Sequence, residues 1–195
     1  MQALRVFLFS ALLLSLGGCG INTIPSLDEQ VKSQWAEVQS QYQRRMDLIP
    51  NLVATVQGYA KQEKEVLTAV TRARSSVGGM QMSAEMLNNP EALKSFEQAQ
   101  ARLGGALQRL MVVAERYPDL KSNQNFLQLQ SQLEGTENRI AVARKDFIES
   151  VRLYNTELRT FPGRIWHTVM YSDLPIRETY TATTENAEQA PNVQF

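Results

Sequence analysis

From Val31 onward the apolar positions return at alternating steps of three and four: Val31, Trp35, Val38, Tyr42, Ile49, Leu52, Val56, Tyr59, Val66 and Val70. Arg45 and Glu63 stand in the missing steps. This spacing is the seam of a helix packed in a coiled-coil manner. Pro50 lies within the run, and proline lacks the amide donor and clashes with the carbonyl four residues earlier. Yet Tyr42, Ile49, Val56 and Glu63 stay in phase across it, which a true turn has no reason to preserve. The pattern predicts one helix from Leu27 to Ser76, bent near Met46 to Pro50. A hairpin at Asp47, which would count it as two, is the alternative.

Val77-Gly78-Gly79 terminates the run, and Met80 to Asn89 reads as a connecting loop. A second helix is expected from Pro90 through Phe96, Ala99, Leu103, Leu107, Leu110, Ala114 and Tyr117, because proline is tolerated in a first turn. Gly104-Gly105 interrupts it, a pair that reads as allowing close backbone approach. After the corner at Tyr117-Pro118, a third helix carries Phe126, Leu129, Leu133, Ile140, Ala143, Phe147, Val151, Tyr154, Leu158 and Phe161, closed by Pro162-Gly163. Its length is about 60 Å at 1.5 Å per residue, so the domain should be elongated. Arg164 to Tyr171 is enough for a short amphipathic helix. Asp173 to Phe195 is polar and aperiodic and reads as an extended tail, pinned by Val193 and Phe195. The fold class is therefore all-α: an elongated antiparallel bundle of three long helices over residues 27–171, with a short C-terminal helix and a tail over 172–195.

The N-terminus departs from this pattern. Arg5 is its lone charge before Asp28, and Val6 to Leu16 is apolar apart from Ser10 and Ser15. A bilayer core of about 30 Å needs about 20 apolar residues, so the run suits the h-region of an export signal better than a membrane span. Leu16-Gly17-Gly18-Cys19 follows and resembles a bacterial lipobox. The reading is a signal peptide over 1–18, a lipidated Cys19 and a tether over 19–26 in which Ser26 caps the first helix; an uncleaved anchor is the alternative. Cys19 is the chain's single cysteine, so no disulfide can form within it. Gly20 follows where a retained lipoprotein would carry Asp, which points to the outer membrane if the cell is Gram-negative.

Composition adds limits. Hydrophobic residues make up 43% of the 195 and charged residues 21%, enough for a packed core without metal or disulfide. Basic and acidic residues balance at 20 each, so there is no basic field for nucleic acid and no polybasic run for anionic lipid.

Catalytic motifs are absent from the sequence. His167 is the sole histidine, and neither a phosphate loop nor a nucleophile elbow occurs. No metal or cofactor is expected. The informative polar cluster is Glu134, Glu137, Asn138, Arg139 and Arg144 around Ile140 on the third helix, where groups one turn apart can pair. It reads as a half-buried network that sets register between helices. Arg44, Arg45 and Asp47 beside Pro50 read alike: Arg45 occupies a seam slot and should reach an acid on another helix, and a partner-binding patch at the kink is the alternative. Tyr154-Asn155 is open to either reading. Met80, Met82 and Met86 fit loop packing or contact with lipid or a partner.

These residues carry a resemblance. Arg44-Arg45-Met46-Asp47-Leu48-Ile49-Pro50-Asn51-Leu52-Val53, followed by Gly58-Tyr59-Ala60, resembles the signature of the LemA family. Tyr117-Pro118-Asp119-Leu120-Lys121, Glu137-Asn138-Arg139-Ile140-Ala141 with Ala143-Arg144, Tyr154-Asn155 and Phe161-Pro162 agree in the same order. The resemblance spans Asn22 to Pro162, with an echo at Ala190-Pro191-Asn192-Val193. It departs at Phe147-Ile148, where the family often has Tyr-Asn, and at Trp166-His167. It implies an N-terminally anchored, extracytoplasmic helical bundle and brings no reaction and no catalytic residues.

The resulting expectation is a non-enzymatic lipoprotein, anchored on the periplasmic side of a membrane through Cys19, with an interaction or scaffold role in the cell envelope. Its partners would be the membrane and an unidentified envelope protein, with self-association left open and nucleic acid excluded. The alternative, from the company LemA-like proteins keep, is an adaptor or regulator of a membrane protease or quality-control system.

Overall fold

The computed structural model describes residues 20–80 and 82–179. The expected signal peptide, Cys19 and the tail from Tyr180, with Val193 and Phe195, lie outside the described residues. The described part is helical throughout its regular structure: α1 (Thr23–Tyr59), α2 (Lys64–Gly78), a 3-10 turn at Ala84–Asn88, α3 (Pro90–Ala114), α4 (Pro118–Lys121), α5 (Gln124–Arg159) and α6 (Gly163–Met170). At 1.5 Å per residue, the 37 residues of α1 and the 36 of α5 each run about 55 Å. They form the spine.

The two spine helices are antiparallel, and their register holds over the whole length. Trp35 stacks on Phe147 with ring centroids 5.3 Å apart, Arg45 pairs with Glu137 at 3.0 Å, and the Asn123 amide donates to the Tyr59 hydroxyl at 2.9 Å. Each step up α1 is matched by an equal step down α5 between these pairs. The seam residues Val31, Trp35, Val38, Tyr42, Ile49, Leu52 and Val56 are all buried.

Pro50 lies inside α1 without ending it. It cannot donate to the carbonyl of Met46, and that oxygen accepts instead from Nε of Arg74 on α2, at 3.1 Å. The corner comes later. The run expected as one helix to Ser76 is two, because α1 stops at Tyr59 and the chain turns back over Ala60 to Glu63. Tyr59, a seam slot by sequence, is half exposed, and Lys61, Gln62, Glu63 and Lys64 offer nothing to bury ahead. Folding back instead puts Leu67, Val70 and Val77 into a distal core with Leu52, Val56, Leu103, Leu107 and Phe126. Hence four helices share the distal half.

Beyond Gly78 the chain continues along the proximal half of α1. The Trp35 indole donates to the Ser83 carbonyl at 3.2 Å, and the Gln39 amide donates to the carbonyl of Met82. Met80, Met82 and Met86 pack on the core, which is the loop-packing reading of that cluster. In the proximal core, Trp35 and Tyr42 both meet Phe96 edge to face, at 6.1 and 5.1 Å, an arrangement worth about 0.5 to 1.5 kcal/mol per pair beyond area burial.

Two local expectations change, those on Ser26 and on Gly104-Gly105, and two caps emerge. Helix α1 begins at Thr23, so Pro25 sits in its first turn, where a missing amide costs little, and Ser26 is not the cap. Asn89 caps α3 by accepting from the Ala92 amide, and Asn123 caps α5 through the Phe126 amide. Gly104 and Gly105 allow no close approach, since a Cβ at either would meet nothing within 4 Å.

The Arg74 tie predicts a thermodynamic cycle. Arg74→Ala should cost about 1 kcal/mol, the net worth of one hydrogen bond. In a Pro50→Ala background, where residue 50 can donate to Met46, the same change should cost much less. Urea unfolding of the four proteins measures the coupling; equal costs in both backgrounds would contradict the account.

Candidate functional site

The seam of α1 contains two charges, Asp28 and Arg45, at 4% exposure each. A charge so far from water is stable in a protein only if paired and hydrogen-bonded, and each nucleates a polar tie between elements.

At mid-length, Nη1 of Arg45 donates to both oxygens of Glu137 on α5, at 3.0 and 3.2 Å. Nη2 donates to the side-chain carbonyl of Gln100 on α3. The guanidinium also lies 5.1 Å from the Tyr42 ring centroid. Burial pushes the Tyr42 phenol up, against the positive charges of Arg144 and Arg45, so it is neutral at physiological pH. One side chain thus joins α1, α3 and α5.

At the proximal end, Nη2 of Arg177 donates to Asp28 at 2.7 Å, and Nη1 donates to the Asn88 side chain. Lys32 completes the Asp28 environment at 2.9 Å. Arg177 is itself 7% exposed. Its backbone is held by Asn155, which donates to the Arg177 carbonyl at 2.9 Å and accepts from its amide at 3.0 Å. Tyr154 beside it donates to the Pro175 carbonyl at 2.9 Å, and Nε2 of His167 lies 2.9 Å from the Leu174 carbonyl. Tyr154-Asn155 is therefore a clamp for residues 174–177. The first part of the tail is extended, but it is docked.

At the distal end, Glu63 accepts from the Tyr117 hydroxyl at 3.0 Å and from Arg116 at 3.2 Å, while Gln62 donates to the same hydroxyl at 2.9 Å. This closes the two corners on each other.

Of the polar residues singled out by sequence, the structure brings Arg45 and Glu137 together. Arg44, Asp47, Glu134, Asn138 and Arg139 are exposed and lie outside that tie. Asp47 accepts from Gln43 and Glu134 from Gln130, each along its own helix. Arg144 is half-buried, with its charge acting on Tyr42. Sequence reasoning missed Asp28, Asn88, Gln100 and Arg177. Asp28 had a signal, a charge one step before Val31 in the seam phase, whereas Arg177 lies in an aperiodic segment.

No group of three or more His, Cys, Asp or Glu among the described residues is placed to hold a metal ion. An open groove of about 620 Å³ between α1 and α2 is lined by Gln57, Lys61, Lys64 and Thr68 over Ala54 and Leu67, with no acid or histidine on its walls. Among the described residues, no helix is long and apolar enough to cross a membrane.

The class so defined is an all-α antiparallel bundle braced by buried polar ties. The LemA family model matches residues 34–195, and the chain belongs to the LemA family. It is also similar to the magnetosome protein MamQ 2 of Paramagnetospirillum magneticum, with 27% identity over 157 residues, covering 72% of this chain and 58% of that protein. The magnetosome protein MamQ of Magnetospirillum gryphiswaldense is 26% identical with the same coverage. The chain thus spans 58% of the length of these curated relatives.

Two outcomes test the ties. Arg45→Ala should destabilise the protein by about 3 kcal/mol, leaving Gln100 buried and unpaired, whereas an apolar replacement of Arg45, Gln100 and Glu137 together should cost far less. Chemical denaturation of both variants reads this directly.

Burial tends to raise the Asp28 carboxyl, but hydrogen bonds from Lys32 and Arg177 outweigh it and hold the carboxyl below its usual value. The folded value is depressed, so the contribution is present above the unfolded value, about 3.9, and is lost as pH falls through the folded one. Asp28→Asn should therefore flatten the acid limb of the stability curve. Hydrogen exchange at 174–177 should accelerate in that variant at neutral pH.

Proposed function

We propose that this LemA-family bundle is a lipoprotein held by lipid on Cys19 at the periplasmic side of a membrane, where it works by contact as an interaction or scaffold element of the cell envelope. The observation that carries the reading is the placement of its charges. Arg45, Asp28 and Arg177 are buried and each is tied across elements, so the polar chemistry inside the bundle serves to hold helices, and function falls to the outer surface. A spine of about 55 Å braced at both ends and in the middle suits a part that must keep its shape while tethered at one end.

The N-terminal pattern supports the tether. A single charge, an apolar run and Gly17-Gly18-Cys19 lead directly to Gly20, which sits against Pro162 and Trp166 at the proximal end. The similarity to MamQ proteins brings no substrate, and the name of those relatives describes them alone.

Fractionation of cells making the full chain tests the attachment. Cys19→Ser should shift the protein from the membrane to the soluble or unprocessed pool, and metabolic labelling with a fatty-acid probe should mark the parent chain and not the variant. Unchanged membrane retention of an unlabelled, processed variant would overturn the proposal.

A further inference from the structure

Helix α6 packs one side on the bundle and exposes the other. Trp166 packs on the proximal core, together with Tyr171 and Leu174 just beyond the helix. On the outer side, Phe161, Ile165, Val169 and Met170 are 83%, 50%, 72% and 52% exposed. Ile165 and Val169 are one turn apart on the helix, Met170 follows at its end, and Phe161, in the turn just before the helix, shares one groove with Ile165 and Val169. Single exposed apolar residues are ordinary, but a clustered stripe on a short helix marks a contact surface. Phe161, Ile165 and Val169 line an open groove of about 520 Å³ with Arg159, Arg164 and Thr168. The charges on that groove are all positive.

The position of the stripe names its occupant. A Cβ on Gly20 would lie 3.5 Å from the Pro162 ring and 3.8 Å from the Trp166 indole nitrogen. Cys19, the lipidation point proposed above, is the residue bonded to Gly20 at the foot of α6. A lipid on Cys19 therefore brings α6 to the same surface. Apolar side chains flanked by arginines are the chemistry of a helix lying in the headgroup region, with the arginines on phosphate and the apolar face at the acyl boundary. Eight residues are far too few to span.

We propose that α6 is an interfacial contact that seats the proximal end of the bundle on an anionic phospholipid surface, the stripe Phe161, Ile165, Val169 and Met170 entering the headgroup layer and Arg159 and Arg164 meeting phosphate. The proposal rests on attachment of the chain from its N-terminal side. It gives the bundle a second foothold, which restricts its tilt.

The test uses the full chain in vesicles of phosphatidylethanolamine and phosphatidylglycerol. An environment-sensitive fluorophore is placed on Val169→Cys and, as a distal control, on Val112→Cys, both positions being exposed. The label at 169 should be quenched by doxyl-labelled phospholipid and shielded from aqueous iodide, and the label at 112 should behave oppositely. Arg159→Glu with Arg164→Glu should reduce the lipid quenching at 169 several-fold. Free access of iodide at 169 without lipid quenching would overturn the proposal. Shielding from both quenchers would also overturn it, since the groove would then hold protein, either residues 180–195 or a second copy. Uptake of label by the chain without an added cysteine would report a free Cys19 and count against lipidation alone; the label at 169 is then read in a Cys19→Ser background on the same vesicles.

Discussion

The structure depends on the packing of α1 against α5 in one uninterrupted register. Both helices are long, and helices in proteins draw most of their stability from packing of an apolar face, which each of these two finds on the other. Trp35 on Phe147, Arg45 on Glu137 and Tyr59 near Asn123 fix the same offset at three heights. A slip of one turn along either helix would break all three together. The shorter elements α2 and α3 then have a defined surface to fold against.

The constraint is met at a place where the chain is locally unfavourable. Pro50 removes one backbone hydrogen bond from a spine helix, and the orphaned Met46 carbonyl would be costly if left dry. Arg74 supplies the donor from α2, which links the proline to the fold-back at Ala60 to Glu63. Had α1 and α2 been continuous, Arg74 would lie far beyond Met46 and could not reach it. The proline and the hairpin are thus parts of one arrangement, and the polar ties at Asp28 and Glu63 brace its two ends.

Much of this was legible in the residues because the seam is periodic. The burial of Val31, Trp35, Val38, Tyr42, Ile49, Leu52 and Val56 follows from the three-and-four alternation, and so do α3 and α5. The corner was not legible, because Glu63 keeps the phase of Tyr42, Ile49 and Val56; period alone cannot distinguish a helix that continues from one that turns back in phase. Arg45 was visible as a charge in a core slot, while its acceptor Gln100 was not, since glutamine at a helix face is usually solvated. The docking of Arg177 was hidden for another reason: it depends on Asn155 reaching the backbone of residue 177, a pairing that no helical or strand period encodes.

The central claim, that α1 passes through Pro50 unbroken, is tested most directly by a distance between spin labels at Gln30 and Gln57, both exposed on α1. Pulsed electron resonance should give a narrow distribution near about 40 Å, the rise of a continuous helix. A distance of about 15 Å, as a turn at Asp47 with the two arms packed side by side would give, would contradict it.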